Sequence, residues 1–132
     1  MVIADGSGLT RLNLVHPSQL AALLAGMWRS PHRDVFLASL AVAGVDGTLK
    51  GRFARSPARG RVRAKTGYIR HVVALSGYVP RRDPKRPPLV FSILTNNFVC
   101  KPTQAKAAVD RFVGELAQRA GWGAKQGSRP KR

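Results

Sequence analysis

The sequence predicts an α+β fold: part of an antiparallel sheet, three strands of it, with covering helices. Two observations carry that prediction. Three short runs rich in Val, Ile, Tyr and Phe follow one another between residues 61 and 94, each bounded by Gly or Pro. Stretches with helical apolar spacing stand before and after them.

Taken in order, Asp5-Gly6-Ser7-Gly8 has the composition of a turn-rich loop. Pro17-Ser18 then opens a helix, with Pro in its first turn and Leu20, Leu23, Leu24 and Met27 as its apolar stripe. A second short helix is expected over Asp34 to Leu40. Ala43-Gly44-Val45-Asp46-Gly47 ends it, because two Gly and an Asp within five residues favour tight turns. Strands are expected over Arg61–Ile69, Val72–Val79 and Leu89–Leu94. Between the second and third lies Pro80-Arg81-Arg82-Asp83-Pro84-Lys85-Arg86-Pro87-Pro88. Its prolines cannot donate to a ladder and its charges prefer water, so it reads as an exposed hairpin loop and the pairing as antiparallel. A longer amphipathic helix is predicted from Thr103 to Arg119, with Ala105, Ala108, Val109, Phe112, Val113 and Leu116 inward and Gly121 as its stop. Residues 1–123 then form one domain portion, and 124–132 a basic disordered tail rich in Lys, Arg, Gly and Ser. Three strands are few for this much helix, which places companion strands upstream in a longer protein.

Composition excludes several classes. The chain has 132 residues, 44% of them hydrophobic, too many for a disordered basic arm. No apolar run approaches the ~20 residues that cross a bilayer, so no membrane span is expected. The lone Cys100 excludes an internal disulfide framework and any multi-cysteine zinc site. The three histidines, His16, His32 and His71, have no i, i+4 pair that would converge on a metal, so no metal is expected. The first residues show no basic and apolar leader, so no signal peptide is read in this chain.

For catalysis, no Gly-x-Ser-x-Gly elbow occurs. Ser7 in Asp-Gly-Ser-Gly reads as a turn residue. The best local motif is Lys65-Thr66-Gly67 at a strand end, followed by Tyr68. An ammonium and a hydroxyl can grip a carboxylate, and Gly keeps the strand wall flat for a ligand lying beside the backbone. Alone, the triplet also describes an exposed Lys at a strand end.

Five blocks occur in order: Asp5-Gly6-Ser7-Gly8-Leu9-Thr10-Arg11-Leu12-Asn13-Leu14-Val15; Leu40 to Lys50 with Asp46-Gly47-Thr48-Leu49; Gly60 to Gly67 ending in Lys65-Thr66-Gly67; Ala74-Leu75-Ser76-Gly77-Tyr78-Val79; and Phe91 to Phe98 with Thr95-Asn96-Asn97. Their succession, from about Asp5 to Ala117, resembles the C-terminal part of the penicillin-binding protein 4 type of D-alanyl-D-alanine carboxypeptidase/endopeptidase. The resemblance implies a serine-type peptidase of the penicillin-recognising (β-lactamase/transpeptidase-like) fold, which cleaves the terminal D-Ala-D-Ala of peptidoglycan stem peptides and recognises β-lactams. It works in the periplasm or cell envelope and needs no cofactor. It assigns Lys65 and Thr66 to the substrate carboxylate, Gly67 to the flat wall, and the Tyr68 N–H to the oxyanion hole. The family's Ser-x-x-Lys and Ser-x-Asn motifs would precede Asp5, and they are expected to be absent here, leaving no catalytic nucleophile and a chain silent on its own. Ser128-Arg129-Pro130-Lys131 fits the first motif only by spelling, because Pro130 opposes the helix that would bring Lys onto the serine. Thr95-Asn96-Asn97 is read as structural.

With 23 Lys and Arg against 6 Asp and Glu, the formal charge is +17. Arg59, Arg61, Arg63 and Lys65 alternate along the first predicted strand and would project from one face, and Arg81, Arg82, Lys85 and Arg86 crowd the hairpin. The rival reading is therefore a small basic binding module for nucleic acid or an anionic cell-wall polymer, against Arg placed wherever a solvated residue is tolerated. No nucleic-acid motif is present, and the aromatic residues do not interleave with the charges.

Overall fold

A computed structural model describes residues 1–123. The predicted tail and its Ser128-x-x-Lys131 lie outside the described residues. Helix α1 spans Pro17–Arg29, α2 Arg33–Ser39 and α3 Pro102–Ala117; strands β1 to β4 span Ala41–Val42, Arg63–Ile69, Val72–Val79 and Leu89–Asn96. No described helix is long and apolar enough to cross a membrane.

The sheet is antiparallel throughout, in the order β1-β2-β3-β4. It has four strands rather than the three expected. The fourth, β1, is two residues long and exists because Ala41 and Val42 meet Ala64 and Arg63 across the gap. A pair of residues carries no periodicity to read. The expected boundaries shift elsewhere too. Strand β2 starts at Arg63, not Arg61, because Arg59 and Arg61 lie in the turn where Arg61 N bonds Ala58 O. The predicted row of four like charges on one strand face is therefore not formed. Strand β4 runs two residues further, to Asn96, and Thr95 Oγ1 donates to Val73 O.

The register sorts the sheet into two faces. Ala64, Leu75, Val73, Phe91 and Ile93 face α3, whose Ala105, Val109, Val113 and Ala117 complete the main core with Leu49, Phe53, Ala58 and Val62 from the segment between β1 and β2. The buried stripe of α3 is narrower than its apolar spacing predicts: Ala108 and Phe112 are exposed, Phe112 at 52%. Both sit about 100° round the helix from the 105/109/113 line, beyond the sheet's reach. The helix ends at Ala117 and continues as a wider turn, Gln118–Trp122, in which Gly121 takes φ 98°, the left-handed conformation that glycine tolerates best.

On the opposite face α1 crosses β3 and β4. Leu24 is the buried contact of α1, packed with Leu40 and Tyr78, while Leu23 stays 59% exposed. His16 caps this helix, its Nδ1 accepting from Ser18 N, and the Gln19 side chain accepts from His16 N. Tyr78 Oη donates to Leu24 O at 2.7 Å, tying helix to sheet at the centre of that small core. Burial raises the Tyr78 pKa.

Two contacts hold the layers in place. Arg52 and Asp110 form a largely buried bidentate ion pair that joins the β1–β2 segment to α3, with Nε 3.1 Å from each carboxylate oxygen. At Gly77, a Cβ would stand 2.1 Å from Arg63 O and 2.7 Å from Ala64 Cα, so only glycine lets β2 and β3 approach this closely.

Three outcomes follow in urea titrations. Gly77→Ala should destabilise the fold by about 3 kcal/mol, since the obstructing atoms are backbone. Asp110→Ala, which strands Arg52 inside the α3 interface, should cost about 3 kcal/mol, and Arg52→Met with Asp110→Leu much less. Tyr78→Phe should cost about 1 kcal/mol at neutral pH. The folded pKa of Tyr78 lies above the unfolded value, so the proton it holds stabilises the fold below pH ~10 and that contribution is lost as pH rises through the folded pKa. In Tyr78→Phe this alkaline decline should be smaller.

Candidate active site

The site candidates occupy the second half of β2. Along one edge this strand is paired with β3 over its full length, from Arg63 opposite Tyr78 to Ile69 opposite Val72. Along the other, β1 meets only Arg63 and Ala64, so among the described residues the edge from Lys65 to Ile69 has no strand partner. The backbone groups of that edge are left for a ligand or another segment.

A cleft of about 520 Å³ lies on the α1/α2 face beside this edge. Its walls bring Lys65, Thr66 and Gly67 together with Ala74, Ser76 and the apolar side chains of Leu20, Leu24 and Phe36. Gly67 is the flat part of the wall: a Cβ there would lie 3.1 Å from Ala74 Cβ, on the cleft side. Tyr68 is 53% exposed, and its ring lies under Lys106 Nζ at 4.6 Å, on the α3 side rather than in the cleft. The structure thus places three of the four predicted residues in one cleft and the Tyr68 side chain outside it, with the Tyr68 backbone remaining on the open edge.

Strand alternation gives Lys65 and Thr66 opposite faces. Lys65 Nζ is exposed and donates to Thr66 O at 2.7 Å, which keeps the ammonium folded over the strand edge. Thr66 Oγ1 shares a hydrogen bond of 2.8 Å with Thr48 Oγ1, from the 3-10 turn Gly47–Leu49. That turn is fixed by Asp46, whose Oδ1 accepts from Val42 N at 2.7 Å, and by Leu49, fully buried in the main core. A ligand carboxylate at the strand edge can therefore meet both groups only by straddling the edge, with the Lys65 ammonium on one side and the Thr66 hydroxyl on the other.

Two features of this site escaped the residue-by-residue reading. Thr48 is brought to Thr66 by the fold across 18 positions. Ser76 stands directly opposite Lys65, and its Oγ bonds Ser92 Oγ on β4 at 2.9 Å, so Lys65, Ser76 and Ser92 form a polar row across the sheet. The signal was present in the strand pattern, since an antiparallel register through the β2–β3 turn pairs them, but it needs that register to be known. By contrast, Asn97 turns the chain out of β4 with φ 54°, and its backbone N–H donates to His71 O at 2.9 Å, a structural assignment for the end of that block. No cluster of three or more His, Cys, Asp or Glu that could hold a metal occurs among the described residues.

An antiparallel sheet layered between helices, with an open strand edge carrying Lys-Thr-Gly beside a cleft, is the arrangement of a transpeptidase-like, penicillin-recognising domain. The solved structures agree. Penicillin binding protein 4 from Haemophilus influenzae, in complex with a β-lactam, superposes with a TM-score of 0.72 at 28% identity over 88% of this chain and 28% of that one. A predatory peptidoglycan endopeptidase from Bdellovibrio bacteriovorus shares the fold with a TM-score of 0.71 at 20% identity, over 97% of this chain and 34% of the other. In sequence, a D-alanyl-D-alanine carboxypeptidase from Actinomadura sp. (strain R39) is 40% identical over 134 residues, which is 98% of this chain and 24% of that protein. The chain belongs to the D-Ala-D-Ala carboxypeptidase 3 (S13) family, whose sequence profile matches residues 1–119. It spans about a quarter of the length of the curated relatives it matches.

The Thr48–Thr66 contact gives a direct check on this geometry. Thr48→Val removes one hydroxyl at an exposed position and should cost less than about 1 kcal/mol. The Thr66 side chain should then sample more than one χ1 rotamer, read from its methyl and Hβ couplings by NMR, whereas Thr48→Ser should keep it fixed.

Proposed function

We propose that this chain supplies the substrate-gripping wall of a serine-type D-Ala-D-Ala carboxypeptidase/endopeptidase that acts on peptidoglycan stem peptides in the periplasm or cell envelope. The observation that supports it is the open β2 edge, with Lys65, Thr66 and Gly67 at one cleft. In this reading the stem peptide lies along the edge as an added strand, antiparallel pairing being available from Lys65 to Ile69. Its terminal carboxylate straddles the edge between the Lys65 ammonium and the Thr66 hydroxyl. With Thr48 acting as donor in the hydrogen bond the two hydroxyls share, the Thr66 proton is free to point at the carboxylate. Gly67 lets the peptide backbone come close, and the Tyr68 N–H donates to the oxyanion that forms at the scissile carbonyl. A single donor of that kind is worth roughly 3 kcal/mol of transition-state stabilisation. β-Lactams carry a carboxylate that occupies the same place.

The nucleophile and its base are not among the described residues in this assignment. The described serines lack the Ser-x-x-Lys arrangement, and Ser76, although opposite Lys65, is bonded to Ser92 within the sheet. The acylating serine and lysine are contributed from outside residues 1–123, and this chain alone is catalytically silent. Loss of a nucleophile and base of this kind lowers turnover by a factor on the order of 10⁶.

Fluorescent penicillin should not label the isolated chain covalently, whereas a D-Ala-D-Ala peptide should shift the NMR amide signals of Lys65 to Tyr68, and Lys65→Ala should abolish those shifts. A covalently labelled band, or release of D-Ala by the purified chain, would overturn the silent assignment. Peptide-induced shifts away from β2 would overturn the site.

A further inference from the structure

We propose a second binding site, separate from the β2 edge, for a linear base-free polyanion: a polyol or saccharide polymer carrying phosphodiesters or carboxylates. It is built at the opposite end of the sheet, where the β3–β4 hairpin meets the C-terminal turn, and it does not rest on the peptidase reading.

Two depressions adjoin there. One, of about 320 Å³, has Arg61, Arg63, Arg81 and Arg86 around an apolar floor that includes Leu37 and Pro88. The other, of about 460 Å³, is lined by Arg81, Arg82, Arg86 and Arg119. Arg81 and Arg86 belong to both, so the two join into one trench carrying six arginines. Among the described residues the only carboxylate lining either depression is Asp83, whose Oδ1 accepts from Lys85 N at 3.0 Å within the hairpin. Six positive charges against one give the trench +5, a density that is costly without a counter-charge.

Three of the six guanidinium groups are held in place by the protein, beginning with Arg61, which donates to Pro57 O at 3.1 Å and Arg59 O at 3.2 Å. Arg63 donates to Leu37 O at 3.1 Å and Arg81 to Pro87 O at 3.1 Å, each through one nitrogen, which leaves further donors on each fork. Arg82, Arg86 and Arg119 make no side-chain hydrogen bond or ion pair among the described residues. The two walls are tied together: Arg82 N donates to Ala120 O at 2.9 Å, and Trp122 Nε1 donates to Pro80 O at 2.7 Å. Arginine forks on a fixed frame suit tetrahedral phosphate or planar carboxylate oxygens.

An occupant with repeated charges follows from the trench spanning two depressions. A base-free one follows from the aromatic rings. Trp122 lies under Arg61 at 4.5 Å, Trp28 is covered by Arg33 at 5.2 Å and packs on Tyr78, and Tyr78 is 2% exposed. Of the rings lining the first depression, Trp28 and Tyr78 pack on each other, Trp28 also carries Arg33, and Tyr78 is buried, so nucleobase stacking would have to displace contacts already made.

The test titrates the intact chain with poly(glycerol phosphate), with polyglucuronate and with oligo(dT), at salt from about 50 to 300 mM. Binding to either base-free polymer is expected, and the tighter of the two identifies phosphodiester or carboxylate as the charge recognised. Arg82→Gln/Arg86→Gln should weaken it about tenfold or more and lower the slope of log K against log salt by about two. Arg119→Gln, on the helical wall, should weaken binding in the same direction without touching the hairpin. The charge-matched pair Arg55→Gln/Arg111→Gln, away from the trench, should change affinity less than about twofold. Equal loss in both pairs would reduce the effect to net charge and overturn the site. Tighter binding of oligo(dT) than of either polymer would overturn the base-free occupant, and no binding at the lowest salt would overturn the proposal.

Discussion

The close approach of β2 and β3 at Gly77 is the constraint on which the site depends. With no Cβ in the way, the carbonyl of Arg63 and the backbone of Ala64 pack directly on Gly77, and the register that results sets Lys65 against Ser76 and Gly67 against Ala74. A slip of one residue would exchange the two faces of β2. Lys65 and Gly67 would turn towards α3, and Ala64, fully buried in the main core, would be replaced there by a charged neighbour. The buried face therefore enforces the register, and the register carries the functional edge with it.

A second constraint is electrostatic. With 6 acidic residues against 23 basic ones, most cations cannot find a carboxylate. Among the described residues only Arg33–Asp34 and Arg52–Asp110 meet as ion pairs, and the first is exposed. The fold accommodates other arginines by turning their forks to backbone carbonyls, as at Arg63 and Leu37 O, or by laying them on rings, as Arg61 on Trp122. Both solutions fix the guanidinium without neutralising it. Arginine-rich composition is thereby converted into a localised positive field, concentrated where the hairpin and the C-terminal turn meet.

Much of this architecture was legible in the residues themselves. Strand β3 has the predicted limits, Val72–Val79: Pro80 ends it and the Pro-rich loop after it reads as a hairpin, while at its start the chain turns through Arg70-His71, with His71 at φ 62°. Helix α1 starts at Pro17 as expected. Other features were not legible. Strand β1 is too short to have a pattern, and the inward line of α3 depends on which residues the sheet can reach, so Phe112 looks like core in sequence and is half exposed in the fold. The charges at Arg59 and Arg61 have strand spacing but occupy a turn, because the chain must first bond back to Ala43 and Ala58.

The sequence by itself determined the α+β class, the antiparallel pairing of β2, β3 and β4, and the presence of Lys65-Thr66-Gly67 on a strand, because periodicity and Gly/Pro punctuation are local properties. The triplet lies in the middle of β2, however, and not at its end. Only the tertiary structure decided that the far edge of β2 is open, that Thr48 meets Thr66, and that arginines from three separate segments line one trench. Each of these joins residues distant along the chain, and such meetings are set by how the buried faces pack and by the register that packing enforces.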